Sequence, residues 1–579
     1  MTTYRVWAPE ATLVEVEVDG VAHPMVPEAG RLGWWQADAP NGDYGFRLDG
    51  GPPLPDPRSR RQPYGPDGLS RPVAHEDFRW SDTPWHGRPL PGCVVYELHV
   101  GTFTSAGTFD AAAERLGHLV ELGVDFVELM PLCPFPGRSG WGYDGVSLWA
   151  VHEPYGGPDG LKRFVDAAHR KGLGVVLDVV HNHLGPSGNH LSAFGPYFTD
   201  RHHTPWGAAV NLDAPGSDEV RDFLIGSALA WLRDYRVDGL RLDAVHALVD
   251  GRALHFLEEL GCAVTEFGEA TGRPLFLVAE SDLNDPRVTD PRQSGGFGLT
   301  AQWSDDFHHA LHVVLTGESQ GYYADFARRP LAALAKTLTG GYFHDGSWSS
   351  FRGRSHGRPF PAAFGHRLLG YLQTHDQVGN RATGDRISAT LSPGRLAGGA
   401  ALVLTSPFTP MLFMGEEWGA TTPWQYFTDH TDPALAEAVR EGRRREFTEF
   451  GWTSDQVPDP QAPATVLASV LDWTEPRREP HLGLLDWYRR LIRLRRAHPE
   501  LADPDLSAVR VAYDEQEGWL VVHRGPYRVV VNLGGGTPRE VVLDRPYAGT
   551  LALFGDCWPG SGENSLFLAP DSVAVVEVG

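Results

Sequence analysis

Eight short, nearly all-apolar runs separated by helical stretches constrain this chain more than any other feature. They fall at 94–99, 126–131, 175–180, 239–243, 275–280, 299–303, 370–376 and 411–415, with helical segments between them, as at 109–122 and 160–171. A strand that is apolar on both faces has no solvent side, so it belongs in a parallel sheet covered by helices. Eight such units predict an α/β fold of the (β/α)8 TIM-barrel type. The barrel region is longer than the typical ~250 residues. The surplus lies in loops, chiefly 181–220 and 317–368.

The flanks read differently. Tyr4 and Val6, then Val14, Val16 and Val18, then Tyr44, Phe46 and Leu48 alternate with polar neighbours, and Asp19-Gly20 and Asn41-Gly42-Asp43 mark turns between them. This predicts a small N-terminal β-sandwich, followed by a Pro/Arg-rich linker or docked arm over 52–72. After a Leu/Arg-rich helix at 484–498, Val509, Val511, Val521, Val529 and Val531 restore the alternation of a small C-terminal β domain. The expected domains are an N-terminal β-sandwich over 1–88, a catalytic barrel over 89–500 and a C-terminal β-sandwich over 501–579.

A net charge of −24 argues against nucleic acid or an anionic membrane as partner, because both call for basic patches. Cys93, Cys133, Cys262 and Cys557 form no C-x-x-C pair and read as single thiols in a reducing compartment. The N-terminus has no apolar h-region and no run of 18 apolar residues occurs, so no signal peptide and no membrane span are expected, and the cytoplasm is the expected location. The 18 Trp suit stacking on sugar rings as well as core packing.

Polar residues at the C-terminal ends of barrel strands point to catalysis. Asp178 ends the third run, Arg241 and Asp243 the fourth, Glu280 the fifth and His375-Asp376 the seventh. Arg241 and Asp243, two apart on a strand, share a face. An isolated Arg-x-Asp is by default a surface ion pair. Here the pair closes an apolar strand, and a cation beside a carboxylate keeps it ionised and able to act as a nucleophile. Glu280 follows an apolar run, which favours a raised pKa and proton donation, although an acid there can also serve only a helix N-terminus. Retaining glycosidases use two carboxyl groups of this kind, about 5–5.5 Å apart.

These segments resemble the α-amylase superfamily of glycoside hydrolases. The matching motifs are Asp178-Val-Val-His-Asn-His183, Gly239-Leu-Arg-Leu-Asp243, Glu280 and His375-Asp376, in the family's order. The resemblance covers the whole chain and implies Asp243 as nucleophile, Glu280 as acid/base and Asp376 as the third carboxylate, which holds sugar hydroxyls. It implies that His183 and His375 bind hydroxyls at the reacting sugar, that Arg241 orients Asp243, and that Tyr143 is a stacking aromatic rather than core. Tyr4-Arg-Val-Trp-Ala-Pro9 resembles the N-terminal module of branching, debranching and trehalose-forming members. The stretches 278–286, 302–309 and 374–381 look like those of trehalose-releasing members. Substrate binding is therefore expected also at His246, at Asp305, Asp306, Phe307, His308 and His309 in a loop after the sixth strand, and at Gln377, Asn380 and Arg381. Thr374 departs from the pattern, where Asn is expected.

The resemblance implies a retaining hydrolase that cuts the α-1,4 bond next to the terminal trehalose unit of maltooligosyltrehalose, with no cofactor and no catalytic metal. It would act in sequence with a trehalose-forming synthase. The alternatives are an α-1,4-glucan branching enzyme with the same trio and a catalytically silent glucan-binding scaffold. Other motifs carry less. Gly317-Glu-Ser-Gln-Gly321 fits a serine-hydrolase elbow, but a helix over 308–316, closed by Gly317, precedes it. His181 and His183 lack an HExxH context and suit sugar hydrogen bonding better than metal binding. An Asn placed like Asn182 leaves a structural calcium ion open. His202-His203 and Arg443-Arg-Arg445 read as solvated faces.

Overall fold

The computed structural model describes residues 1–81, 85–448, 453 and 456–579. Eight parallel strands close into a barrel: β1 (Val95–Leu98), β2 (Phe126–Leu129), β3 (Gly174–Val179), β4 (Gly239–Leu242), β5 (Phe276–Ala279), β6 (Ala301–Trp303), β7 (Leu368–Tyr371) and β8 (Thr409–Phe413). Each pairs with the next and β8 returns to β1. Each expected run contains one of these strands, or overlaps it. The β7 strand starts two residues earlier, and His375-Asp376 lies in a short helix beyond it rather than on it.

Strand alternation sorts the side chains into two cores. Val95, Phe126, Val176, Phe276, Val278, Ala301, Trp303, Leu369, Tyr371 and Met411 form a separate cluster that fills the barrel. Their neighbours Tyr96, Leu98, Val127, Leu129 and Leu177 point outward and join the large core shared with the helices. The rings of Phe126 and Phe276 pack edge to face, 5.1 Å apart. They explain why β3 and β4 begin with glycine. A Cβ on Gly174 would lie 2.3 Å from Phe126, and one on Gly239 2.3 Å from Phe276. Towards the C-terminal mouth the inward positions turn polar, with Glu97, Glu128, Asp178 and Arg241 all buried.

The N-terminal strands form two antiparallel three-stranded sheets. They dock on the 181–220 excursion through Trp7 against Tyr197 and Phe46 against Phe194. The Pro/Arg-rich stretch is a docked arm. Arg58 pairs with Asp222 at 3.1 Å, Arg60 with Asp234 at 2.5 Å and Arg61 with Glu153 at 2.5 Å. C-terminally, a five-stranded antiparallel sheet faces a three-stranded one. Helix His481–Ala497 and helix Pro393–Leu404 pack together between this unit and the barrel. Arg395 fastens the joint: it binds Asp571 at 3.0 Å and donates to the carbonyls of Leu315 and Leu533 at 2.8 Å each. Arg395→Ala should therefore cost ~2 kcal/mol and lower the calorimetric unfolding midpoint by a few degrees, with turnover unchanged. An unshifted midpoint would show that the clamp contributes nothing.

Candidate active site

The buried Arg241 guanidinium organises the mouth of the barrel. Its Nη1 donates to both oxygens of Asp178, at 2.9 and 2.8 Å, and to Asp243 Oδ1 at 2.7 Å. Its Nη2 lies 3.3 Å from Glu280 Oε2. In-register pairing of Arg241 with Asp178 across β4 and β3 sets the first of these contacts. The guanidinium also stacks on Trp303, 4.4 Å from the ring centroid. The Arg241–Asp243 pair is thus buried, not a surface ion pair.

One backbone turn and one side-chain amide fix the carboxylates. Ala244, directly after Asp243, holds a left-handed conformation at φ 40°, which costs a residue with a side chain about 1–3 kcal/mol. That turn aims its N–H at Glu280 Oε2, 2.5 Å away. Asn182 donates to Asp243 through its side-chain amide, at 2.7 Å to Oδ2 and 2.9 Å to the backbone carbonyl. Thr374, the departure from the superfamily pattern, caps the short helix His375–Gly379, its hydroxyl accepting from the Asp376 N–H at 3.2 Å.

Burial pushes the Glu280 carboxyl up to about 8, against the lowering influence of Arg241 and with help from Asp243 and Asp376. Burial likewise lifts Asp178 to about 6, although Arg241 opposes it. For His375 burial acts the other way, but Glu97 and Asp376 outweigh it and push the imidazolium up to about 9. The mouth therefore offers a carboxylate fixed by a guanidinium and, beside it, a carboxyl that keeps its proton at neutral pH.

A cleft of about 870 Å³ contains Asp243, Glu280 and Asp376 together with Tyr143, His183, His246 and His375. Trp141, Asp144, Trp206 and Tyr426 complete its walls. Tyr143 is not core: its hydroxyl donates to Asp178 Oδ2 at 2.6 Å. A second cleft of about 590 Å³ shares Asp376 and is lined by Asp305, His309, Gln377 and Asn380, with Asp282, Tyr322, Phe351 and Arg352.

Several expected contacts take other roles. Residues 305–309 are not a loop but the first turn of helix Asp305–Thr316, which ends at a left-handed Gly317. Helical spacing turns only Asp305 and His309 to the cleft. Phe307 packs on Phe408 in the core, and His308 is buried beside His312 and Tyr371. Asp306 accepts from Asn284 and from the N–H groups of Phe343 and His344, at 2.7–2.8 Å, so it ties the 342–344 turn to the barrel. Arg381 is bound by Glu318 and Asp385 rather than facing either cleft. His183 lines the first cleft, but both ring nitrogens meet protein acceptors, Asn182 Oδ1 and the Tyr143 carbonyl. Asn182 uses its oxygen on His183 and its amide on Asp243, and the described residues contain no cluster of three or more metal-type side chains.

The sequence reading missed Asp282, Tyr322, Phe351 and Arg352. Three of them sit in the long insertion 317–368, whose length was the only signal. It also missed Glu97, although a lone charge inside an apolar strand was visible.

Known proteins match this architecture. The model of the alpha amylase catalytic domain matches residues 80–194, and a domain of unknown function (DUF3459) matches 504–575. A malto-oligosyltrehalose trehalohydrolase from Rhizobium sp. is 55% identical, over 94% of this chain and 92% of its own length. One from Mycobacterium tuberculosis is 52% identical, over 100% and 99%. The chain belongs to the malto-oligosyltrehalose trehalohydrolase family. A crystal structure of a candidate alpha amylase from Salmonella typhimurium superposes on it with a TM-score of 0.90 at 38% identity, covering 100% of this chain and 97% of the other. Membership makes the chain an α-amylase-type glycoside hydrolase. None of its described helices is long and apolar enough to cross a membrane.

In this family member the raised Glu280 carboxyl gives a pH prediction. If it must donate a proton, kcat/KM falls as pH rises through about 8, because only the protonated form is competent. Glu280→Gln should penalise natural glucan substrates much more than an activated aryl glycoside, which needs no proton. Equal losses on both substrates would contradict the proton-donor role.

Proposed function

We propose that the chain hydrolyses the α-1,4 bond next to the terminal trehalose unit of a maltooligosyltrehalose, with retention, and releases trehalose. Asp243 attacks the anomeric carbon and forms a glycosyl ester. Glu280 protonates the departing oxygen of the trehalose unit, then removes a proton from the water that cleaves the ester. Asp376 holds hydroxyls of the reacting sugar, Tyr143 supplies a stacking face, and His375, whose ring nitrogens meet Glu97 and the Tyr143 hydroxyl, orients that face. Asp243→Asn should remove at least ~10³-fold of turnover in a folded protein, and wild-type-like turnover would refute the assignment.

The observation that carries the reading is the pair of clefts meeting at Asp376. The first contains the attacking and proton-donating groups. In the second, Asp305, His309, Asn380 and Gln377 offer hydrogen bonds beside the aromatic faces of Tyr322 and Phe351. Trehalose joins its rings through both anomeric carbons, so its outer ring is oriented unlike that of maltose. Buried polar groups set for one orientation discriminate against a ligand that leaves them unpaired. The reading also places the enzyme in the cytoplasm, in keeping with four unpaired cysteines, after a synthase that builds the terminal trehalose.

The deciding experiment is product analysis with maltotriosyltrehalose and maltopentaose. Trehalose and maltotriose should be the products of the first, at a far higher kcat/KM than for the second. Chain transfer without new reducing ends would instead identify a branching enzyme, and no turnover a binding scaffold. Asp305→Ala and His309→Ala should lower kcat/KM for maltotriosyltrehalose much more than for maltopentaose. Asp306→Ala should affect both in proportion, since it holds a turn. Equal losses throughout would place trehalose selection elsewhere.

A further inference from the structure

Glu97 lies on β1 inside the barrel, 1% exposed, behind the groups that face the cleft. Its Oε1 meets His375 Nδ1 and its Oε2 accepts the His375 backbone N–H at 3.1 Å. On the far side of the ring, His375 Nε2 is 2.8 Å from the Tyr143 hydroxyl. That hydroxyl has one hydrogen, and it goes to Asp178 Oδ2, 2.6 Å away. Asp178 accepts from Arg241 through both oxygens, so it stands as the acceptor in this network. The Tyr143 oxygen is left as an acceptor towards Nε2. Nδ1 in turn faces a carboxylate. Both ring nitrogens must then carry hydrogen.

We propose that Glu97 is a positioning residue that keeps His375 an imidazolium, so that Nε2 remains a hydrogen-bond donor to Tyr143 and the Tyr143 hydrogen stays on Asp178, which also accepts from Arg241 beneath Asp243. A neutral ring would let Tyr143 turn its hydrogen to Nε2 and leave Asp178 short of a donor beside Arg241. The charge also lies 3.6 Å from Asp376 Oδ1. The other titratable groups facing His375 are Glu128 on β2, the neighbour of Glu97 in register, and His99 at the end of β1. Burial drives the Glu128 carboxyl far up and the His99 imidazolium down to about 3, so neither supplies the balancing charge. Glu97 does.

This inference rests on the hydrolase reading, and one assay separates the two. Trehalose release from maltotriosyltrehalose is measured for wild type and Glu97→Gln from pH 5.5 to 9. If wild type releases none, the functional reading fails. If it does, the ratio of kcat/KM between variant and wild type tests Glu97 and cancels the titration of Glu280, common to both. With the carboxylate gone and Asp376 still beside it, His375 titrates near the ordinary histidine value of ~6.5. The variant should then lose less than about twofold at pH 6 but ~30-fold or more at pH 8. A ratio that does not vary with pH overturns the proposal. Glu128→Gln is the control and should follow the wild-type profile. An equal shift there would mean that any charge change in the barrel produces it, and would also overturn the proposal. If Glu97→Gln does not fold by circular dichroism, Glu97→Asp serves. It keeps the charge, so its loss should be the same at pH 6 and pH 8, and a pH-dependent loss overturns the proposal.

Discussion

One fully buried guanidinium holds the mouth of this barrel together. Arg241 touches Asp178, Asp243 and Glu280, and none of these groups could be placed there alone. Burying a charge costs several kcal/mol unless it is paired, and removing one partner of a buried pair typically costs about 3–5 kcal/mol. The carboxylates cancel the cost of the cation, and the cation sets their spacing. The cluster is as much a constraint on the fold as a tool for chemistry, since strands β3, β4 and β5 must keep register for it to close.

The remaining charges divide the labour by environment. Asp243 faces the guanidinium and an Asn182 amide, whereas Glu280 faces the cleft with a single backbone donor and is pushed up to about 8. A carboxyl that keeps its proton at neutral pH is suited to proton donation. Below them, Glu97 and His375 add a second opposite pair, and the aromatic rings of Tyr143, Trp141 and Trp303 enclose the imidazole. The apolar plug of Phe126, Phe276 and Met411 closes the base of the barrel, which keeps these charges in a medium where each contact counts.

The second cleft is built by a different principle. Its walls come from an insertion, residues 317–368, and from one turn of a helix. The insertion is held in place by its own contacts: Asp306 to the 342–344 turn, His356 to the Asp282 carbonyl at 2.7 Å, and Arg381 to Glu318. The barrel strands thus supply the charged mouth, and a separate segment supplies the walls of the cleft beside it.

The sequence by itself determined the barrel, the two flanking β units and the carboxylates that meet at the barrel mouth. Each depends on local pattern: apolar runs buried on two faces, alternation buried on one, and charges two apart at strand ends. The run 305–309 shows where such reading stops. Its five polar and aromatic residues look alike in sequence, yet helical geometry sends Asp305 and His309 to the cleft and Asp306, Phe307 and His308 inward. His183 and Arg381 were legible as polar residues in the right motifs, but their partners, Asn182 with the Tyr143 carbonyl and Glu318 with Asp385, are set by packing. The long insertion carried no periodic signal, so Tyr322, Phe351 and Arg352 reached the site only through tertiary contacts. Local pattern fixes which way a strand residue points. Only the closed barrel decides which side chains from distant segments, Glu97 and His375 among them, meet.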